Sequence, residues 1–385
     1  EAPCDGTVVR LLAAEGDTVP FENAVIEVET ADASMTKTVS SAPAAATVEV
    51  TEAMALASKP VAKSTQVSIL GIGSYLPKRV VTNSDLLKHF PDITEDYIFG
   101  VTGIRERRWA ESHEKPSDMA HRAALEALRK SGLQAQDIGA IVLSTTTPDV
   151  VMPATSCILQ EKLGIRGIPA FDLNAACSGW LYAICVAKSF VLSGMADNVL
   201  VVAVDMQSRV LDKKDKDTLF LFGDGAGAAV ISGSRQGHTI LHEILVADSK
   251  GLAMARREHP GYEVPQNCPT ADPWIRLEGR SLFKFATENF SSMVREVVIK
   301  SGWKPEEVAW VVPHQANGRI IKAAAARSGV TFERFYLNID RVGNTSSASI
   351  PIALTEVEKF LRKGDKIVLC TVGAGVTAAA MSLEW

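Results

Sequence analysis

Hydrophobic and polar positions change their spacing at one point in the first half of the chain. The run from Ile168 to Leu173 is short, apolar and preceded by a glycine, which is typical of a buried strand. The segment from Trp180 to Leu192 carries apolar residues at helical spacing and stops at Gly194, which predicts a helix. Cys177 lies between the two patterns, so we expect it at the start of that helix.

Two further patterns place polar side chains at the ends of apolar segments. Val308 to Val312 predicts a strand, and His314 follows at its exit, before a helical run. Farther on, Gly343 predicts a turn that holds Asn344 in a loop before another helix. Taken singly, His314 could be a hydrogen-bonded core histidine and Asn344 an ordinary turn residue.

The chain also repeats itself. Gly223 to Ile231 and Gly373 to Met381 each predict a glycine loop that leads into an apolar strand. Ile138 to Leu143, with the polar residues after it, resembles Val308 to Pro313 with its polar exit. Such a duplication brings equivalent strand ends to one central site. The cysteine of the first half then meets the histidine and asparagine of the second half.

The start of a helix changes the chemistry of a cysteine. Unpaired backbone N–H groups and the helix dipole favour negative charge, which lowers the pKa of the thiol and makes Cys177 a nucleophile. The alternative is a buried structural cysteine, which we retain for Cys185. A papain-like hydrolase could use the same three residue types, but none of the protease signatures surrounds them.

Composition narrows the possible classes of protein. The 385 residues are 46% hydrophobic and 22% charged, which suits a large folded core. Six cysteines without a Cys-x-x-Cys pair and seven histidines without ligand spacing predict no disulfide framework and no metal site, and favour the cytoplasm. A net charge of −5 argues against a nucleic-acid partner. We expect no membrane span, because no apolar run approaches ~18 residues.

Four motifs between Gln66 and Trp385 occur in a specific order: Ala-Ala-Cys177-Ser-Gly, Phe222-Gly-Asp-Gly-Ala-Gly227, Val312-Pro-His314-Gln-Ala-Asn317 and Gly343-Asn344-Thr-Ser-Ser-Ala-Ser. Through them the chain resembles the β-ketoacyl-acyl carrier protein synthase III family of thiolase-fold condensing enzymes. The resemblance implies an α/β fold with five layers, α-β-α-β-α, in which two pseudo-duplicated halves span 66–235 and 236–385. It also implies a homodimer and a Cys-His-Asn active site.

The resemblance further implies a decarboxylative Claisen condensation without a cofactor. An acyl starter from coenzyme A or a carrier is transferred to Cys177, and malonyl-acyl carrier protein then loses carbon dioxide. His314 and Asn344 offer two hydrogen-bond donors to the enolate, each contributing roughly 3 to 4 kcal/mol in a dry site. The backbone N–H groups of Cys177 and Ala374 are the implied oxyanion hole. The product is a β-ketoacyl thioester of fatty acid or related biosynthesis.

The same resemblance suggests contacts with the thioester arm. Tyr97 stands where the family has an aromatic residue against the adenine of coenzyme A, whereas Val101 replaces the arginine on its other side. Arg209 matches a coenzyme-binding arginine, and Asn317 matches a pantetheine contact. Met152 stands where an aromatic residue often closes the acyl pocket across the dimer. A flexible methionine there predicts longer or branched acyl groups, or alternatively simple packing.

A basic patch follows the histidine. Arg319, Lys322 and Arg327 project within about 140° of one helix, and the resemblance implies that acidic acyl carrier protein docks there. The alternative is an ordinary solvated face. Two other functions stay open, namely acyl transfer to an unusual nucleophile in specialised metabolism and a scaffold role in a multienzyme complex. The presence of Asn344 favours condensation, because simple acyl transfer forms no enolate.

The beginning of the chain has a different pattern. Residues 1–30 alternate like β-strands around a Gly-Asp turn and resemble half of a biotinyl or lipoyl carrier domain. We find no acceptor lysine for biotin or lipoate. Residues 31–65 are rich in Ala, Ser, Thr, Val and Pro, which predicts a linker.

Overall fold

The computed structural model describes residues 7–11, 26–29, 66–233, 236–258 and 272–385. Strands β1 (Thr7–Leu11) and β2 (Ile26–Glu29) pair antiparallel, in line with the alternation in residues 1–30. They belong to a compact unit, Glu1–Val50, and a second unit spans Thr51–Trp385. The resemblance to a carrier domain stays a prediction, and the expected linker 31–65 lies outside the described residues.

The larger unit holds two successive sets of elements. The first set consists of β3 (Ser68–Tyr75), β4 (Val80–Thr82), α1 (Asn83–Leu87), α2 (Glu95–Thr102), β5 (Glu106–Arg108), α3 (Pro116–Ser131), β6 (Ala140–Ser144), α4 (Thr155–Lys162), β7 (Ala170–Leu173), α5 (Gly179–Ser193), β8 (Asn198–Met206), α6 (Lys216–Leu219) and β9 (Asp224–Ser232). The second set consists of β10 (His238–Ala247), β11 (Ala255–Arg256), β12 (Arg276–Leu277), α7 (Gly279–Lys300), β13 (Val308–Pro313), α8 (Gly318–Ser328), α9 (Ile339–Val342), α10 (Ser349–Val357), β14 (Lys366–Gly373) and β15 (Thr377–Glu384).

The two sets repeat one strand pattern. In the first set the order is β3-β9-β8-β6-β7, with two antiparallel pairings followed by two parallel ones. In the second set β10-β15-β14-β13 has the same directions, and a parallel bridge between Val311 and Phe335 takes the fifth position. The sets join where β10 pairs briefly with β3, which makes one nine-stranded sheet. The predicted duplication is therefore confirmed.

Helices on both faces of the strands complete five layers. Helices α5 and α10 lie between the two halves, where α5 packs against β6, β8 and β15, and α10 packs against β3, β9 and β13. Helices α3 and α4 cover the outer face of the first half, and α7 with α8 covers that of the second. The predicted α-β-α-β-α architecture is thus confirmed, with the most extensive apolar core around the two central helices.

Helix α5 corrects one expectation from the sequence. The segment Ala176–Ser193 is long and apolar enough, by length and composition, to cross a membrane. In the fold, Trp180, Ile184 and Ala187 of this helix are buried between the two halves. A core helix that is covered on most sides needs apolar residues around most of its circumference, which accounts for its composition.

The motif Gly223–Gly227 is not the glycine loop that the internal repeat predicted. Strand β9 begins at Asp224, so the later glycines lie within a strand. A Cβ atom at Gly227 would lie 2.5 Å from the ring of Pro351 in α10. The absence of a side chain therefore lets the central helix approach the sheet. Its counterpart in the second half is a true turn, which connects β14 to β15.

Candidate active site

A cavity of about 1610 Å³ lies at the ends of strands from both halves. Residues that follow β6, β7, β8 and β13 contribute to its lining. Cys177, His314 and Asn344 all line it, so the structure brings the three predicted catalytic residues together. Parallel strands of duplicated halves direct their carboxyl ends to this one place, as the internal repeat indicated.

Cys177 lies in a short 3₁₀ turn, Ala176–Ser178, between β7 and α5. The turn starts with a left-handed backbone at Ala176, whose φ is 47° and whose N–H donates to Asn174 Oδ1 at 3.0 Å. From the other half, Thr371 Oγ1 donates to the carbonyl oxygen of Cys177 at 3.1 Å. Elements of both halves therefore fix the position of Cys177.

The Asn344 loop has the same local structure as the Cys177 turn. Ser346 has a φ of 51°, and its N–H donates to Asn344 Oδ1 at 2.8 Å. The 3₁₀ turn Ser346–Ala348 then leads into α10, as the cysteine turn leads into α5. The two turns face each other, because Cys177 Sγ lies 3.7 Å from Ser346 Oγ.

His314 follows β13 and is buried. Its ring Nδ1 lies 2.6 Å from Ser349 Oγ, and the Gln315 N–H donates to the same hydroxyl oxygen at 3.3 Å. We assign the hydroxyl proton to the bond with Nδ1, which leaves the ring proton on Nε2 as a donor to the cavity. Burial lowers the pKa of His314 to about 3, so the imidazole is neutral at physiological pH.

The side-chain amide of Asn344 is also fixed in orientation. Its Oδ1 accepts from Ser346, and its Nδ2 donates to the carbonyl oxygen of Ala316 at 3.2 Å. One Nδ2–H remains for the cavity. The site therefore combines two neutral donors with one sulfur, which is a suitable set for stabilising a developing enolate oxygen.

The hairpin between β14 and β15 approaches the Cys177 turn closely. A Cβ atom at Gly373 would lie 2.8 Å from the backbone nitrogen of Cys177. Thr377 Oγ1, on the far side of the hairpin, donates to the carbonyl oxygen of Ala175 at 2.8 Å. Ala374, between them, lines the cavity. The backbones of Cys177 and Ala374 thus border one space, and their role as an oxyanion hole stays a prediction.

The thiol of Cys177 differs from our expectation. Burial, together with the nearby Asp205 carboxylate, raises the pKa of Cys177 to about 12. The hydrogen bond with Ser346 acts in the opposite direction, but desolvation is the larger effect. The predicted lowering of this pKa is therefore wrong for this structure, in which the sulfur is a thiol. Burial likewise raises the pKa of Cys185 to about 12, consistent with a structural residue.

Sequence reasoning missed Asp205, which lies near the end of β8. Its Oδ1 accepts from the N–H and the hydroxyl of Thr146 at 2.8 and 2.7 Å. Its Oδ2 accepts from the N–H and the hydroxyl of Ser347 at 3.0 and 2.6 Å. This buried carboxylate ties the first half to the Asn344 loop. A charged residue at the exit of the apolar run Val199–Val204 was the signal that could have identified it.

Comparison with known proteins decides the family. Residues 171–249 match the family model described as 3-oxoacyl-[acyl-carrier-protein (ACP)] synthase III, and residues 298–385 match its C-terminal counterpart. Over 322 residues the chain is 40% identical to the β-ketoacyl-[acyl-carrier-protein] synthase III of Caldanaerobacter subterraneus subsp. tengcongensis, which covers 82% of this chain and 97% of that protein. The chain belongs to the β-ketoacyl-acyl carrier protein synthase III family.

Solved structures agree with this assignment. The 3-oxoacyl-[acyl-carrier-protein] synthase III from Aquifex aeolicus has a TM-score of 0.77 and 42% identity, and the match covers 83% of this chain and 100% of that one. A priming β-ketosynthase from a polyketide biosynthetic pathway has a TM-score of 0.78 and 32% identity, with 84% and 97% covered. The thiolase fold and the condensing-enzyme class of this synthase III family member are thus confirmed.

Residues predicted to contact the thioester arm line the cavity of this family member. Tyr97 and Val101 of α2 both line it, and Tyr97 is half exposed. Asn317 Nδ2 donates to the carbonyl oxygen of Val101 at 3.0 Å, and Asn317 Oδ1 accepts from the Arg319 N–H at 2.8 Å. Asn317 therefore caps α8 and joins it to α2. Its contact with pantetheine stays a prediction.

The predicted roles of Arg209 in coenzyme binding and of Met152 in the acyl pocket stay predictions for this synthase III family member. Arg209 Nη2 donates to the carbonyl oxygen of Glu111 at 2.6 Å. Met152 is 85% exposed, and its neighbour Val151 lines the cavity. An exposed methionine beside a cavity is compatible with an acyl pocket that a second subunit completes.

The basic patch predicted on the synthase III surface lies on α8. Arg319, Lys322 and Arg327 are all exposed, and the Arg319 guanidinium lies 5.9 Å from the centroid of the Phe283 ring. Arg319 also lines the cavity, so the patch and the cavity are continuous. Within the described ranges, we find no group of three or more His, Cys, Asp or Glu side chains that could hold a metal ion.

Proposed function

We propose that this synthase III family member joins an acyl starter to malonyl-acyl carrier protein by decarboxylative Claisen condensation. The observation that carries the proposal is the presence of one cysteine sulfur and two oriented neutral donors in a single cavity. Relatives that share 40% and 42% of their residues with this chain bear the name β-ketoacyl-[acyl-carrier-protein] synthase III.

The first step is acyl transfer to Cys177. The sulfur attacks the carbonyl carbon of the incoming thioester, and the N–H groups of Cys177 and Ala374 donate to the oxyanion. The carbon–sulfur bond of the donor then breaks. Its thiol leaves with the proton that Cys177 releases, so the charge on the site does not change.

The second step is decarboxylation and carbon–carbon bond formation. The bond between the malonyl α-carbon and its carboxylate breaks, and the electron pair passes into an enolate whose oxygen accepts from His314 Nε2–H and Asn344 Nδ2–H. The α-carbon attacks the Cys177 thioester and expels the sulfur, which takes a proton from solvent. Because carbon dioxide leaves, no strong base is required, and a neutral His314 suits this role.

The partners follow from the same proposal. The substrates are an acyl-coenzyme A or acyl-carrier thioester and malonyl-acyl carrier protein, without a cofactor. The carrier docks on the exposed cations Arg319, Lys322 and Arg327, since carrier proteins of this class are acidic. We also propose a homodimer through the edge strand β7 and a cytoplasmic location, which the free cysteines favour.

Intact-protein mass spectrometry tests the first step. Wild type and Cys185→Ser should gain one acyl group from acyl-coenzyme A, whereas Cys177→Ser should lose nearly all transfer, because an alkoxide is far harder to form than a thiolate. Acylation of Cys177→Ser at the normal rate would move the nucleophile elsewhere.

Release of carbon dioxide from malonyl-carrier tests the second step. His314→Ala and Asn344→Ala should each still accept the acyl group but decarboxylate roughly a hundredfold or more slowly, as for other lost oxyanion donors. Normal decarboxylation with failed acylation would reverse the assigned roles. If a variant with an intact donor pair transfers its acyl group to an oxygen or nitrogen nucleophile without releasing carbon dioxide, the specialised acyltransferase is the correct function.

A further inference from the structure

Two polar residues that line the active-site cavity have no role in the proposed condensation. Arg257 and Gln207 both line the cavity. Each carries one buried side-chain atom without a hydrogen-bond partner, namely Arg257 Nη1 and Gln207 Oε1. A pocket for a simple alkyl group is expected to be apolar, because a buried polar atom against hydrocarbon loses its hydration without compensation.

The orientation of Gln207 follows from its neighbours. The Thr146 hydroxyl donates its proton to Asp205 Oδ1 at 2.7 Å, so Thr146 Oγ1 must accept from Gln207 Nε2 at 2.9 Å. The other amide atom, Oε1, then has no partner. Gln207 is only 2% exposed, which makes its Oε1 a fixed acceptor for a hydroxyl, an N–H group or a water molecule.

Arg257 is a half-buried cation that lines the same cavity. Burial lowers its pKa, while the field of the Asp205 carboxylate raises it. That carboxylate does not bond to the guanidinium, because Thr146 and Ser347 already supply four donors to its two oxygens. The same carboxylate raises the pKa of Cys177, so Asp205 acts electrostatically on both the arginine and the cysteine.

The adjacent Arg256 differs from Arg257 in its surroundings. The Arg256 side chain is 62% exposed and lies 3.5 Å from Glu258 in an ion pair. Of these two arginines, the partly desolvated Arg257 is therefore the one without an anionic partner among the described residues. An anionic ligand group near Cys177 would supply it, and a carboxylate matches the planar fork of an arginine.

We propose that this enzyme takes acyl groups that carry a free carboxylate in addition to the thioester, and that Arg257 binds this carboxylate in the cavity that Gln207 also lines. The proposal rests on the function proposed above, since the acyl group is the one held by Cys177. The malonyl carboxylate is a less suitable occupant. An arginine bound to it would stabilise the ground state more than the transition state, in which the charge leaves the carboxylate, and would slow decarboxylation.

Competition between matched acyl groups tests the proposal on the full chain. Succinyl-, glutaryl- and adipyl-coenzyme A are each compared with the unsubstituted acyl-coenzyme A of the same length, and mass gain at Cys177 gives the loading rates. Wild type should favour the best carboxylate-bearing group by about tenfold or more, the effect of one buried charge-assisted pair. Arg257→Leu should abolish this preference, and Arg257→Lys should retain part of it.

Two further variants separate this site from a general change in charge. Arg256→Leu removes a neighbouring cation and should leave the preference unaltered. Gln207→Leu should increase the loading of unsubstituted acyl groups, because it removes the unpaired acceptor. Equal loading of both kinds of acyl group by wild type and Arg257→Leu would overturn the proposal.

The malonyl step supplies the last test of the proposal. With enzyme already loaded by an unsubstituted acyl group, Arg257→Leu should leave the KM for malonyl-carrier unchanged. A raised KM with an unchanged loading preference would overturn the assignment to the starter and place the extender carboxylate at Arg257. If no acyl group of either kind loads Cys177, the proposed function itself has failed, which is a different result from loading without preference.

Discussion

Ser349 and Gln315 together determine which nitrogen of His314 carries a proton. Ser349 Oγ lies 2.6 Å from Nδ1 of His314 and accepts from the Gln315 N–H, so its own proton points to the ring. A hydroxyl at the first residue of α10 thereby makes Nε2 the donor. Gln315 is itself held by four bonds to backbone atoms of neighbouring segments. Ser349 is thus a positioning residue that acts through His314.

Substitution of Ser349 tests this assignment. Ser349→Ala should lower the rate of decarboxylation about tenfold, since the ring loses the bond that fixes its tautomer, while acyl loading is retained. Ser349→Thr, which keeps the hydroxyl, should restore much of the rate. A purely structural role would predict equal losses in loading and decarboxylation, and the same effect from both variants.

The pH dependence of Cys177 alkylation tests its raised pKa. Burial disfavours the thiolate, so the thiolate fraction should still increase with pH throughout the range from neutrality to about pH 9. We expect the rate with iodoacetamide, measured by mass spectrometry, to rise about tenfold per pH unit without a plateau. A Cys157→Ser background removes the thiol that is exposed among the described residues. A plateau near neutral pH would indicate that the helix start outweighs burial.

Residue types and their positions at strand exits were predictable, but their local environments were not. The sequence shows directly that an apolar segment ends just before each of Cys177, His314 and Asn344. The pKa of Cys177 depends on desolvation by residues from the second half, and no local pattern reports that. Asp205, Arg257 and Ser349 acquire their importance only through contacts distant in sequence.

At the scale of elements, the loops that carry Cys177 and Asn344 have the same local structure. Asn174 Oδ1 accepts from the N–H two residues later, and Asn344 Oδ1 does the same. Each turn then enters a central helix, α5 or α10. One turn carries the sulfur and the other carries an amide donor, so turns of the same structure supply two different functions. The repeat in the sequence predicted that equivalent strand ends meet at one site, but it did not identify these two turns as equivalent, and its glycine loop at 223–227 lies mostly within β9.

The hairpin after β14 offers a prediction at this scale. In Gly373→Ala the new Cβ would meet the Cys177 backbone nitrogen at 2.8 Å, so the hairpin or the turn must move. Both acyl loading and condensation should fall by about a hundredfold, the usual scale for a displacement of about 1 Å at a catalytic site. Gly100→Ala in α2, where nothing lies within 4 Å, is the matched control. Similar activity of the two variants would exclude a tight requirement at Gly373.

At the scale of the whole molecule, the two halves differ at the ends of their strand order. The second half ends with β13 and a single bridge, whereas the first half ends with the apolar strand β7. Among the described strands, β7 is paired along one edge only, and such an edge is a surface that commonly pairs with a second chain. Val151 and Met152, in the segment before α4, are exposed by 67% and 85%. This edge is therefore the part of the described chain that we expect to carry the dimer contact.

A charge at Met152 tests the dimer together with the acyl pocket. In Met152→Asp, a carboxylate would enter an apolar contact between subunits, so the proportion of dimer in light scattering should fall as the protein is diluted. Ile299→Asp is the matched control, because Ile299 is 74% exposed on α7, which packs against β14 and β15 in the other half of the sheet. If Met152 also closes the pocket of its partner, the loading of longer acyl groups should change even at concentrations where the variant is dimeric. If both the dimer and the acyl preference are unchanged, Met152 contributes neither to the dimer contact nor to the acyl pocket.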